Sequence, residues 1–141
     1  MRLVVDTNRI IAALVKDGIS RHIILHFEGE LISVGFSKEE LSEHKKEILE
    51  KAKIEEAEFE MIMDKLFSKL TILDDKVVTS AIKEAREIME KFDPADVPFI
   101  AAAIATKSAI WSDDKHFKKQ DRIRILNTKE LMEKIKSTTT Q

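Results

Sequence analysis

Asp6 closes the apolar run Leu3-Val4-Val5. A carboxylate behind three branched aliphatics needs compensation, because aspartate is almost never fully buried without a partner. Other acids recur in comparable settings: Glu40 in Ser37-Lys38-Glu39-Glu40, Asp93 and Asp96 in Asp93-Pro94-Ala95-Asp96, and Asp113-Asp114 after Ala109-Ile110-Trp111-Ser112. Carboxylates packed together repel one another. Hard divalent cations such as Mg²⁺ or Mn²⁺ remove that penalty, prefer oxygen ligands and keep several waters, which leaves room for a phosphate. The chemistry that would follow is metal-assisted phosphodiester hydrolysis, in which the metal activates water and stabilises charge on the attacking and leaving oxygens.

Most of these acids also have a purely structural reading. Ser37-x-x-Glu40 matches a capping box, in which Ser caps a helix and Glu reaches back to the cap's N–H. Asp93-Pro94-x-Asp96 offers a cap, a proline suited to the first helical position and an acid where the helix dipole favours negative charge. Asp113 and Asp114 could cap a turn. Asp6 has no such local reading, so convergence of the others upon it is the point at issue.

The elements that would position them alternate. Arg2–Asp6 reads as a strand, residues 9–18 as a helix ended by Gly18, and residues 20–30 as a helix capped by Ser20. Leu31–Gly35 is a short strand. Residues 37–52 and 55–70 read as a helical hairpin, the second helix with Phe59, Ile62, Met63, Leu66, Phe67 and Leu70 on one face. Leu70–Leu73 is strand-like and residues 76–91 are helical. A helix then opens at Pro94, with Pro98 expected to distort it locally, and Ala109–Asp114 and Arg122–Leu126 are strands before a closing helix over residues 128–136. Strands alternating with helices predict an α/β fold, a three-layer αβα arrangement around a mostly parallel sheet of about five strands. Ligands in such sheets sit beyond the carboxyl ends of the strands, where strand order reverses. Asp6 and Asp113-Asp114 end strands, while Glu40 and Asp96 fall in first helical turns, so all can reach that edge.

Composition bounds the alternatives. A chain of 141 residues, 43% hydrophobic and 35% charged, is expected to form a single domain over residues 1–136 followed by a disordered polar tail, 137–141. With no cysteine there is no disulfide framework or thiolate metal site. The 24 basic and 26 acidic side chains argue against bulk coating of nucleic acid, although Lys45, Lys46, Lys51 and Lys53, and Lys115, Lys118, Lys119, Arg122 and Arg124, form local basic clusters. No apolar run reaches the length of a membrane span and no leader pattern is present, so a cytoplasmic location without membrane attachment is expected. Three glycines leave no Gly-rich phosphate cradle. Asn8 replaces the second acid of a dehalogenase-type D-x-D, and the late Asp113-Asp114 pair does not suit a response-regulator receiver.

Val4-Val5-Asp6-Thr7-Asn8, Glu40-Leu41, residues 93–105 (DPADVPFIAAAIA) and residues 110–117 (IWSDDKHF), in that order, resemble the PIN-domain ribonucleases over nearly the whole chain. The resemblance implies an Mg²⁺- or Mn²⁺-dependent endoribonuclease whose metal-binding and catalytic acids are Asp6, Glu40, Asp96 and Asp114. Thr7 or Asn8 would be the polar residue beside the first acid, with Asp93, Asp113, Ser112 and His116 in substrate-binding or supporting positions. Glu43 competes with Glu40 for the helical position. Many relatives carry a further acid where this chain has His116, a change that would alter metal occupancy or place a cation near phosphate. The implied partners are single-stranded or structured RNA, an antitoxin protein if the chain is the toxin of a toxin-antitoxin pair, and a second copy in a homodimer. An RNA-processing role, or an RNA-binding or regulatory module with weak catalysis, are the other readings.

Overall fold

The computed structural model describes residues 1–15 and 18–139. Strand β1 (Arg2–Val5) is apolar at successive positions because both sides of the sheet are covered. Leu3 and Val5 enter one core with Leu31, Trp111 and Leu126, whereas Val4 enters the other with Ile32, Val34 and Ile110. Strands β2 (Glu30–Val34), β3 (Leu70–Leu73), β4 (Ala109–Trp111) and β5 (Ile125–Leu126) complete an all-parallel sheet of order β3-β2-β1-β4-β5. This is the three-layer αβα fold expected from the sequence.

One helical layer holds α1 (Thr7–Val15), α2 (Ile19–His26), α4 (Lys45–Ala52), α5 (Glu56–Phe67) and α9 (Thr128–Thr139), with Ile10, Leu14, Ile23, Ile48, Phe59, Leu66 and Leu131 directed into its core. The other holds α6 (Asp75–Ser80), α7 (Ile82–Met89) and α8 (Val97–Thr106), through Ala85, Met89, Phe99, Ile100 and Ala103. The short α3 (Gly35–Glu43) follows β2 and buries Leu41 in the first core. Burying a side chain of the size of Ile10 or Leu14 contributes about 1.5–3 kcal/mol. Among the described residues, no helix is long and apolar enough to cross a membrane.

Several local expectations are corrected. Helix α1 starts at Thr7 rather than Arg9, while its expected continuation through Lys16 and Asp17 lies outside the described residues. Gly18, extended at φ −178°, is the N-cap of α2, and Ser20 lies inside the first turn without capping it. The single helix expected over 37–52 is divided at His44 (φ −96°, ψ 4°), which lets α4 rest on α1. Helices α4 and α5 both lean on α1, and Lys45 ties them together through Glu56 and Glu60. Residues 76–91 likewise divide, at Ala81. Pro98 causes no kink: it lies in the first turn of α8, where amide donors lack intrahelical acceptors, after a separate 3₁₀ turn at Pro94–Asp96. The closing helix α9 passes Lys136 and reaches Thr139; Thr140 and Gln141 are outside the described residues.

Candidate functional site

The chain leaves β1 towards β2 and β3 on one side, then returns to place β4 and β5 on the other. Strand order therefore reverses between β1 and β4, and the carboxyl ends of these two strands flank the crevice. The Asp6 N–H donates to the Trp111 carbonyl at 3.1 Å, which carries the β1–β4 pairing one residue beyond the strand. Its carboxylate Oδ2 accepts a 2.8 Å bond from the hydroxyl of Ser112, which is buried. The same Ser112 Oγ accepts the Asp114 N–H at 3.0 Å, so one hydroxyl sets the spacing between the two strand-end acids. Burial raises the Asp6 pKa above the usual carboxylate value; the Ser112 bond opposes that shift, Asp114 adds to it and Arg9 offsets it. Asn8 takes part through its backbone, with its N–H 3.4 Å from Asp6 Oδ1, and its side chain is exposed.

The adjacent Thr7 recruits α3. Its hydroxyl donates to Glu40 Oε1 at 2.7 Å and lies 2.8 Å from Ser37 Oγ; because Thr7 has one hydroxyl proton, Ser37 is the donor in that second contact. The capping-box reading of Ser37 and Glu40 is thereby overturned. Helix α3 begins earlier, at Gly35, with no side-chain cap, and both residues turn towards Thr7 instead. Glu40 is half-buried and its pKa is raised by burial, with the Thr7 bond opposing and Asp6 reinforcing the shift. Glu43 is exposed at the end of α3.

Helix α8 runs back across the sheet, which puts its start at the same edge. Asp93 caps the preceding 3₁₀ turn through the Ala95 N–H at 3.0 Å. Asp96 ends that turn, is only 7% exposed, and its Oδ2 is buried without a hydrogen-bond partner. Its pKa is pushed up to about 8, first by burial and then by the negative charges of Asp93, Asp6, Asp114 and Glu40. Five carboxylates thus act on one crevice. Asp114 caps the next 3₁₀ turn, Lys115–Lys119, by accepting the His116 N–H at 2.9 Å. Ligand-capable atoms of Asp93, Asp96, Asp114 and His116 all lie within 4.8 Å of one another. A divalent cation fits this donor set, to which Asp6 and Glu40 do not belong: opposite ligands of an ion bound at about 2.1 Å are about 4.2 Å apart, and the ion would supply the partner that the buried Asp96 Oδ2 lacks.

The profile of the PIN domain matches residues 4–136. The chain belongs to the PIN-domain family. Among solved structures, the VapBC2 complex of Rickettsia felis, bound to a DNA fragment from its promoter, contains a chain that superposes with a TM-score of 0.69 at 18% identity, covering 90% of this chain and 98% of that one. At that identity the likeness concerns the fold. No curated protein sequence matches the chain.

Within this PIN domain, one expected site residue stands apart from the acid crevice. Asp113 Oδ2 pairs with Arg9 Nη1 at 2.7 Å and accepts the Thr128 hydroxyl at 2.7 Å, while its Oδ1 accepts the Thr128 N–H at 2.7 Å. Asp113 therefore clamps the start of α9 to α1. Thr128 Oγ1 also accepts the Trp111 indole N–H at 3.0 Å, which extends the clamp to the end of β4. Arg9, Ser37 and Thr128 were not legible as neighbours of the site. For Arg9 a signal existed, since it lies three residues after Asp6 in the first turn of α1 and faces the same end of the sheet.

Proposed function

We propose that this PIN domain is a metal-dependent endoribonuclease that hydrolyses RNA phosphodiester bonds with Asp6, Glu40, Asp96 and Asp114 as its metal-binding acids. The observation that carries the reading is Asp96: a buried carboxylate oxygen with no partner, facing the charges of four other acids, is costly unless a cation joins it. Bound Mg²⁺ or Mn²⁺ would supply activation of water and stabilisation of charge on the phosphate oxygens. The chain's own residues do the positioning. Ser112 holds Asp6 and Asp114 at fixed spacing, Thr7 holds Glu40 over Asp6, and Asp93 fixes the turn that presents Asp96. Burial keeps competing water from the Asp6 and Asp96 oxygens.

The toxin reading draws support from the structural neighbour VapBC2, which is bound to a DNA fragment from its promoter. An antitoxin is the partner this suggests, with RNA as substrate, a cytoplasmic setting and a homodimer as the assembly. The apolar face read over residues 59–70 is core: Phe59, Leu66 and Leu70 are buried in it and Ile62, Met63 and Phe67 pack against it, while Met61, off that face, is 72% exposed.

The test is cleavage of end-labelled single-stranded RNA by purified protein with Mn²⁺, with Mg²⁺ and with EDTA. Cleavage that needs the metal and is lost in Asp6→Asn is the expected result. Metal-independent cleavage, or equal rates for the parent and Asp6→Asn, would refute the mechanism. RNA binding without cleavage would favour the binding-module reading.

A further inference from the structure

We propose that His116 is a nitrogen ligand at the acid crevice, which makes Asp93, Asp96, Asp114 and His116 a subsite for a first-row transition cation in preference to Mg²⁺. The inference rests on the metal-dependent reading above and specifies the class of ion. Imidazole Nδ1 of His116 lies 3.5 Å from Asp93 Oδ2 and 3.6 Å from Asp114 Oδ1, so the ring nitrogen faces the gap between two carboxylates. Across the same gap is the buried, unpartnered Oδ2-bearing carboxylate of Asp96. Three carboxylates and an imidazole form a mixed oxygen and nitrogen set. Mg²⁺ prefers an all-oxygen shell with several waters, whereas imidazole favours ions further along the first transition row.

The backbone holds this arrangement in place. The His116 N–H donates to Asp114 Oδ1, which fixes the two residues on one turn. The next residue, Phe117, is 0% exposed in the α6–α8 core and anchors that turn from below. Asp93 is in turn fixed by its bond to the Ala95 N–H. The competing explanation is electrostatic: a protonated His116 could serve merely as a counter-charge to Asp93 and Asp114. Arginine at position 116 would preserve that role but offers no lone pair to a metal.

The experiment loads the full chain with Mn²⁺ and records pulsed electron paramagnetic resonance, which detects modulation from a directly bound ¹⁴N nucleus. Calorimetric titrations with Mn²⁺ and Mg²⁺ give the ratio of their affinities. Nitrogen modulation is expected in the parent and in His44→Gln, and none in His116→Ala or His116→Arg. The preference for Mn²⁺ over Mg²⁺ should fall about tenfold or more in both position-116 variants, the scale seen when support to a metal site is removed. His116→Asp should regain Mg²⁺ binding without nitrogen modulation. Mn²⁺ bound with no nitrogen signal in the parent, a signal that survives in His116→Ala, or an unchanged preference in His116→Arg would overturn the proposal while leaving the nuclease reading intact. Absence of any Mn²⁺ binding would overturn both.

Discussion

Asp113 and Asp114 are consecutive acids at the end of one strand, yet they occupy opposite electrostatic environments. Asp113 turns to the α1 and α9 side, where Arg9 and the start of α9 satisfy both of its oxygens. Asp114 turns to the α8 side, among Asp93, Asp96 and Asp6, with two backbone links and the exposed His116 as its nearest nitrogen base. The difference teaches how to separate an acid that holds a fold together from one available to a ligand. A carboxylate whose lone pairs are already taken has little left for a metal. One that adds repulsion to a buried neighbour leaves a deficit that a cation can fill.

The contrast can be broken most visibly in catalysis. Asp96→Asn should reduce RNA cleavage by about a hundredfold or more, the scale of losing an electrostatic or acid–base contribution, while Asp113→Asn stays near the parent rate. Matched single-turnover assays in Mn²⁺ would check this. Next is the response to metal. At about one hundred times Kd, Mn²⁺ should stabilise the parent and Asp113→Asn by about 2.7 kcal/mol, seen as a rise in Tm, and Asp96→Asn should lose most of that rise.

The third effect reverses the roles. Asp113→Ala removes the acceptor of the Thr128 N–H and the partner of Arg9, and should cost about 1–2 kcal/mol in urea unfolding, with or without metal. Asp96→Asn in metal-free buffer should instead be neutral or stabilising, because folding then no longer requires this buried site to take up a proton or to hold a charge among other acids. The pH dependence sharpens the same point. Folded Asp96 binds its proton more tightly than the unfolded chain does, with a pKa of about 8 against 3.8. The stability this confers is fully present below the unfolded value and is lost as pH rises through the folded one. Metal-free parent should therefore lose stability between about pH 4 and about pH 8, and Asp96→Asn should show a shallower decline in the same urea titrations.

Much of the frame was legible. Successive apolar residues in Leu3-Val4-Val5 announce a strand covered on both faces, and the alternation of elements announces a parallel sheet, because each signal is local and repeats along the chain. Asp6 was legible as an anomaly, a charged group behind an apolar run, whereas Asp96 was legible as a candidate with a competing structural reading, an acid where the helix dipole favours negative charge. Glu40 was legible as a candidate but carried the wrong structural alternative: the Ser37-x-x-Glu40 pattern fits a cap, and only the approach of Thr7, thirty and thirty-three residues away, redirects both side chains. Helix breaks at His44 and Ala81 were invisible because neither residue is Gly or Pro; packing of the flanking helices against α1 and α8 imposes them.

Residue types and their periodicity, taken alone, determined the layered α/β architecture, the edge at which acids would gather and the identity of the acids that could gather there. The tertiary structure decided which of them meet. Asp113 and Asp114 are indistinguishable by composition, and their separation depends on how the chain turns after Trp111 and on Arg9, more than a hundred residues earlier, being present on one side only. Glu40 and Glu43 are distinguished by the position of Thr7 relative to α3. Pattern along a chain reports the local preference of backbone and side chain for water or core, whereas the energy of a charge depends on every charge and dipole near it in space, and those neighbours are set by strand order and register.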